Sequence, residues 1–560
     1  MTTFNALIND DYISSICSFL SIYDNAQVRL VSSFFNKNCS KYVNKINRAF
    51  FCNITDDIVF NHKDFFSNVT QAYYSDDSLL TIEGLKEFTN LQNIHISSKN
   101  KKTPNLSELK TVREVYISAE TIIDHTCLSG LDIRKANVYY YSIKETELFF
   151  HKFKNLVDLT LCFYPDISYD TQNNYIQLLS HNLSLKRLTL VTDYDIDLNN
   201  FTTLTHLFVY AINMTNDSIK DLSQLEHLEM KWNGKINCID NMLNLQSYKG
   251  HYINLVNKPK IKSIDFSDNC YVPENKSKYI KSIHSFVDSL ENLRLSFFSY
   301  CGMPFNDAGS LNIISNIISN MINLKFLSIC NDQHDHLYLD LSKMTKLEKI
   351  DFYNATPIID HVHSLKKIKI INDKHAGHHL YLPVPNKIQK INVKGVIVHN
   401  LGDNLRTFKS SNKLEPTDLY ALTQNENITR FSITFTIPCS VINNTFRDLE
   451  YLNLDSPLSE KMVIISLNNL KKLKKLWLTN CSVKSDCIQH LELSKLYLNG
   501  IDVHLIINPQ KLKYLHVVKC PKQIITLEQF VNLDTIRIDF VGNLIGKPST
   551  VNIVILPHSN

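Results

Sequence analysis

Glycine and proline are scarce, 12 and 15 among 560 residues, which excludes collagen-like and Pro/Gly-rich disordered chains. Cysteine occurs 13 times but never as a CxxC pair, and its spacing does not recur. An odd, scattered set argues against a disulfide framework. No apolar run reaches the length of a membrane span. Asp10 and Asp11 fall where a secretory signal needs an apolar core. Charge of one sign is lacking too: Lys+Arg 59 against Asp+Glu 55 leaves +4, too little for a protein built to coat nucleic acid. These absences predict a soluble chain in a reducing compartment, cytoplasmic or nuclear, with neither nucleic acid nor membrane as partner. The abundance of Asn, Ile and Lys reads as A/T-rich coding with no structural content. It is compatible with an amoeboid protist, or a large virus infecting one, which would place the chain in host cytoplasm.

Signatures of catalysis are missing as well. The sequence contains no P-loop, GxGxxG, HExxH or GxSxG. Cys481 and Cys487 have no neighbour that would activate a thiol. The histidines His334, His336, His361, His363, His375, His378 and His379 fall at differing points of their segments, with no cysteine set to complete a metal site. They read as solvated turn residues. The expectation is a non-enzyme without metal or cofactor.

What the sequence does have is a repeat. Apolar-x-x-apolar-x-apolar recurs as Leu156/Leu159/Leu161, Leu185/Leu188/Leu190, Leu324/Leu327/Ile329, Leu473/Leu476/Leu478 and Leu512/Leu515/Val517, among others. Weaker copies begin at Leu91, Val112, Leu131, Leu245, Ile261, Ile388, Leu405 and Ile428. Asn, Lys, Ser or Asp usually precedes each copy. From Leu91 to Leu533 the mean period is about 22 residues, within the range of leucine-rich repeats. The last two apolar positions alternate as a short strand with one buried face. One coil cannot bury that face alone, whereas stacked coils share a continuous core. The predicted fold is an α/β leucine-rich-repeat solenoid over 86–560, with short parallel strands on a concave face and helices or turns on the convex one. Longer intervals hold amphipathic stretches at 279–286 and 311–318, predicted as helices, and residues 551–556 as a last capping strand.

The first fifty residues lack the repeat. Ile8, Tyr12, Ile13, Ile16, Phe19 and Leu20 share one helical face, and Asp24 is placed to cap a second helix carrying Leu30, Val31 and Phe35. Ser18-Phe19-Leu20, Asp24, Leu30-Val31-Ser32 and Phe35 fall, without a gap, at the spacing of the F-box family, with Asp11 at its acidic position. Residues 6–48 resemble that family, although Ile8-Asn9 replaces the usual Leu-Pro and Phe35 the usual Trp. An F-box followed by leucine-rich repeats resembles the substrate receptors of SCF ubiquitin ligases. The resemblance implies a small all-α F-box at 1–50 whose Ile8, Asp11, Ile13, Ile16, Phe19, Leu20, Leu30, Val31 and Phe35 dock on a Skp-type adaptor and through it a cullin. The repeats would then hold a protein substrate for ubiquitination. The alternative is a leucine-rich-repeat scaffold with no ubiquitin link. Residues 51–85 read as a connecting segment or capping repeat.

Within each motif, residues flanking the second apolar position face away from the core. That predicts a surface column containing Lys349, Lys367, Lys369, Lys390, Lys394 and Lys409, then Tyr451, Trp477, Tyr497, Tyr514 and His516. Trp and Tyr are the types most enriched in binding hot spots. Tyr451, Trp477, Tyr497 and Tyr514 are therefore candidate anchors for an unidentified protein substrate, with Lys367, Lys369 and Lys390 favouring an acidic stretch of it. The competing reading is sideways packing of the aromatics and a merely solvated lysine face.

Overall fold

The computed structural model describes residues 48–50 and 55–555, apart from stretches of which 140–152 and 267–282 are the longest. The chain divides into two compact units after Ile261. Each is a stack of coils that contribute one short strand apiece to a parallel ladder. In the first unit the ladder runs from Arg48–Phe50 and Gln71–Ser75 through Asp158–Cys162 to Ser247–Lys249. In the second it runs from Ser263–Phe266 through Lys349–Tyr353 and Lys475–Thr479 to Asn552–Ile555. This is the leucine-rich-repeat solenoid that the period predicts.

Alternation explains each rung. In Lys475–Thr479 the side chains of Leu476 and Leu478 are buried and those of Lys475, Trp477 and Thr479 are partly open. Leu473 closes the preceding turn and is also buried, its N–H donating to the Leu470 carbonyl. The rung starts with a shared acceptor: the amides of Lys474 and Lys475 both donate to the Glu450 carbonyl, and those of Ser494 and Lys495 to that of Lys474. Each coil thus fixes the register of the next.

The polar residue before the motif has a structural task. Asn244 Nδ2 donates to the Ser223 carbonyl at 3.0 Å, Asn323 to Asp288 at 2.7 Å, Asn404 to Asn386 at 2.9 Å and Asn427 to Asp403 at 2.9 Å. Each tie joins a turn to the coil before it, satisfying a carbonyl that the turn leaves unpaired. The asparagine content read above as a coding bias is therefore in part a structural requirement.

Helix is confined to a few coils. Tyr169–Ser180 and Ala308–Ser319 occupy two of the long intervals, and the second contains the predicted 311–318. Of 279–286, only the end from 283 lies within the described residues, with Ile283 and Phe286 buried. Another helix, Cys439–Thr445, fills a shorter interval, and in several coils of the second unit the return arm is extended and forms two-stranded outer sheets, such as Leu337–Asp340 with Ala355–Ile358 and His378–Tyr381 with Val396–His399. The anticipated last strand is present, Asn552–Ile555 pairing with Thr535–Ile538. One anchor shifts: the motif begun at Leu131 belongs to Ile133, whose partners Ala136 and Val138 are both buried. Among the described residues, the segment between 51 and 85 carries the short helices Asp56–Asn61 and Lys63–Phe66, the rung Gln71–Ser75, bonded to Asn93–Ser97, and the start of a further helix, Ile82–Lys86.

Candidate functional site

Register places the predicted aromatics side by side. Tyr451, Lys475, Lys495 and Tyr514 are successive Cα partners in one column of the second unit. Asn453, Trp477, Tyr497, His516 and Arg537 form the next column on the same face. Rungs lie about 4.8 Å apart, so rings in neighbouring rungs must touch. Trp477 and Tyr497 stack at 4.0 Å and 11°. Tyr451 meets Trp477 at 4.8 Å, and Tyr497 meets Tyr514 at 5.1 Å and His516 at 5.4 Å, bridging the two columns. The band ends in cations: the Arg430 guanidinium lies 5.0 Å from the Tyr451 centroid, and that of Arg537 5.8 Å from Tyr514.

Lys475 and Lys495 stand between those ends in the first column, the Lys495 ammonium 5.8 Å from the Tyr514 centroid, and the rings themselves stay neutral. Burial raises the pKa of Tyr451, and burial followed by the neighbouring Tyr514 raises that of Tyr497, so both remain phenols. Burial, then Arg537, lowers that of His516. Its Nδ1 is buried without a hydrogen-bond partner among the described residues. Half-buried rings with hydroxyls at the rim make a surface that can bury apolar groups and still hydrogen-bond.

The predicted lysines occupy earlier rungs of the same face. Lys349, Lys367 and Lys390 are successive Cα partners, followed in register by Thr407, Arg430 and Tyr451. Lys369 and Lys409 lie in the adjacent column. Lys369 pairs with Asp351 at 2.9 Å and Lys394 with Asp373 at 2.7 Å. Lys349 lies 4.5 Å from the Phe326 centroid. The two predicted groups thus form one surface, joined through Thr407 and Arg430.

A second stack, in the first unit, was not singled out in the sequence. Tyr73, His95 and Tyr116 lie in one column at 4.4 Å and then 4.1 Å, the latter pair nearly parallel at 1°. Gln71 Nε2 reaches Tyr73 Oη at 3.1 Å and the His95 ring at 2.9 Å. The signal that would have found it is Ala72, which fills the apolar position where a leucine is expected.

The adaptor-docking residues Ile8, Asp11, Ile13, Ile16, Phe19, Leu20, Leu30, Val31 and Phe35 lie outside the described residues. Among the described residues no group of three or more His, Cys, Asp or Glu side chains is placed to hold a metal ion. His361 and His363 sit in turns as read from the sequence. His378 and His379 do not: they lie on an outer strand, where His379 Nδ1 meets His399 Nε2 at 2.7 Å. The extended return arm puts them there. Burial pushes the Cys481 thiol up to about 12 and that of Cys520 to about 11, the reverse of activation. No described helix is long and apolar enough to cross a membrane.

Neither a protein-family profile nor a curated protein matches the chain. Solved structures similar to it include a leucine-rich-repeat protein of Leptospira interrogans, at 15% identity and a TM-score of 0.38, covering 70% of this chain and 91% of that one. The plant peptide hormone receptor RGFR1 in complex with RGF2 is similar at 14% identity and a TM-score of 0.38, covering 87% of each chain. The functional domain of InlJ from Listeria monocytogenes, which includes a cysteine ladder, is similar at 12% identity and a TM-score of 0.29, covering 83% of this chain and 76% of that one.

Proposed function

We propose that the chain is a non-enzymatic receptor that captures a protein partner on the open face of its second unit. Through its amino-terminal segment it joins that partner to a Skp-type adaptor and a cullin, as the substrate-recognition subunit of an SCF-type ubiquitin ligase. The partner-binding half rests on one observation, the continuous band Tyr451–Trp477–Tyr497–Tyr514 on the outward face of the second unit's ladder. The adaptor half rests on Ser18-Phe19-Leu20, Asp24 and Leu30-Val31-Ser32 at family spacing. A receptor of this type needs no catalytic group of its own. It acts by holding a substrate lysine close to the transfer site, which raises the effective concentration of the acceptor.

The test is a pull-down of the full chain with purified Skp-type adaptor, wild type against Ile13→Asp/Phe19→Asp, with circular dichroism as a folding control. Adaptor retained by the wild type and lost by the variant is the expected result. Absence of binding by the intact chain at micromolar adaptor removes the ligase reading and leaves a scaffold with no ubiquitin link. In parallel, proteins crosslinked to the wild type in cells should be depleted by Trp477→Ala/Tyr497→Ala. An unchanged set of crosslinked proteins would assign the aromatic band to packing alone.

A further inference from the structure

Three lysines in successive rungs are an unfavourable arrangement if stability is their only purpose. Lys349, Lys367 and Lys390 are direct Cα partners, and like charges placed opposite one another on a sheet repel. All three are exposed. Among the described residues no ion pair is formed by Lys367 or Lys390, nor by Lys409 in the next column. Elsewhere the same fold answers a cation with a carboxylate one rung away, as in Lys369–Asp351 at 2.9 Å and Lys325–Glu291 at 2.7 Å. Glu348, whose carboxylate also feels the charge of Lys367, is already held by Lys366 at 2.8 Å. The row continues through Thr407 to Arg430 and then meets Tyr451, the first ring of the aromatic band.

We infer that the row from Lys349 to Arg430 seats an extended acidic segment of the protein partner, whose adjoining apolar residues rest on the edges of the aromatic band. Four rung spacings cover about 19 Å, the length of roughly six extended residues. Lysines offer separate point charges instead of bidentate forks, which suits carboxylates strung along a chain more than a single clamped phosphate. Single-stranded nucleic acid would need open aromatic faces on which to stack its bases. Here the faces of Trp477 and Tyr497 are closed against each other at 4.0 Å. Edges and hydroxyls are what the band presents.

The inference deepens the reading of this face as a protein-binding surface and is independent of the adaptor. Its probe is a fluorescein-labelled octaglutamate peptide, titrated with the full chain by anisotropy in the absence of adaptor. Lys367→Glu/Lys390→Glu should weaken binding about tenfold or more, while Lys343→Glu/Lys484→Glu, the same charge change away from the row, should leave it within about twofold. Wild-type binding should also weaken steeply between about 50 and 200 mM salt. Lys367→Gln/Lys390→Gln repeats the test with a milder change should the reversal fail to fold. Equal loss in both pairs would reduce the effect to net charge and overturn the inference. So would absence of peptide binding, or an oligouridylate that binds more tightly and displaces the peptide. Such a failure leaves the adaptor pull-down and the Trp477 crosslinking as they stand, so the two readings fail separately.

Discussion

At the residue scale, the open face joins binding chemistry to a stability device. Trp477 and Tyr497 stack tightly enough to support each other, a contact of about 0.5–1.5 kcal/mol for an aromatic pair, while their rims stay available. His516 gives the band a pH dependence. Burial and then Arg537 lower its pKa from 6.5, so the unfolded chain takes up the proton more readily than the folded one. The stability it contributes is complete above pH 6.5 and is lost as pH falls from there through the folded value. His206, lowered by burial and then by His227 and Arg187, acts in the same direction. The lowered carboxylates, such as Glu291 and Asp373, respond only below their ordinary values of 4.5 and 3.8. The urea midpoint should therefore drop between pH 7.5 and 5.5 in the wild type and drop less in His206→Asn/His516→Asn. A variant with the wild-type pH profile would contradict this assignment.

At the element scale, the corners decide where each rung ends. Asn354, Gly395, Asn480, Gly500 and Lys519 each follow a ladder strand with φ between 51° and 74°. There the backbone turns into the outer arm. Asn tolerates that left-handed region and Gly favours it. Gly395 is the tightest case, because a Cβ would collide with the Asn372 carbonyl oxygen. Gly395→Ala combines backbone strain with an overlap that backbone alone must relieve, and should cost about 1–3 kcal/mol. The check is chemical denaturation of the full chain, with Gly130→Ala, whose Cβ meets only the flexible Lys110 ammonium at 3.5 Å, as the milder comparison. These corners were not legible in the sequence, since Asn, Gly and Lys at a corner share no pattern. The rungs were legible because leucine at fixed spacing is a pattern. Where alanine took the middle position, at Ala72 and Ala136, the anchor was displaced or overlooked.

At the scale of the whole molecule, each coil contacts its neighbours and little else, so damage should spread along the stack and fade. Leu476 is fully buried, and Leu476→Ala should cost about 2–5 kcal/mol. Hydrogen exchange should show the largest loss of protection at the rungs holding Leu452 and Leu496, which flank it in register. Protection at Leu293, far along the same unit, should change least. Uniform loss across the second unit would instead indicate one cooperative core.

The sequence by itself determined the repeat, its period, the buried set and the side of each strand that faces outward. Those follow from alternation and from the need of a single coil to share its apolar face. It also placed Trp477, Tyr497 and Tyr514 on one face, because each flanks the second apolar position of its motif. Only the tertiary structure decided that these rings stack, that among the described residues Lys369 and Lys394 find carboxylate partners while Lys367 and Lys390 do not, and that asparagines before the motif tie one coil to the next. Contacts between coils depend on register across gaps of about twenty residues, and a sequence pattern specifies the rung without specifying what the neighbouring rung sets beside it.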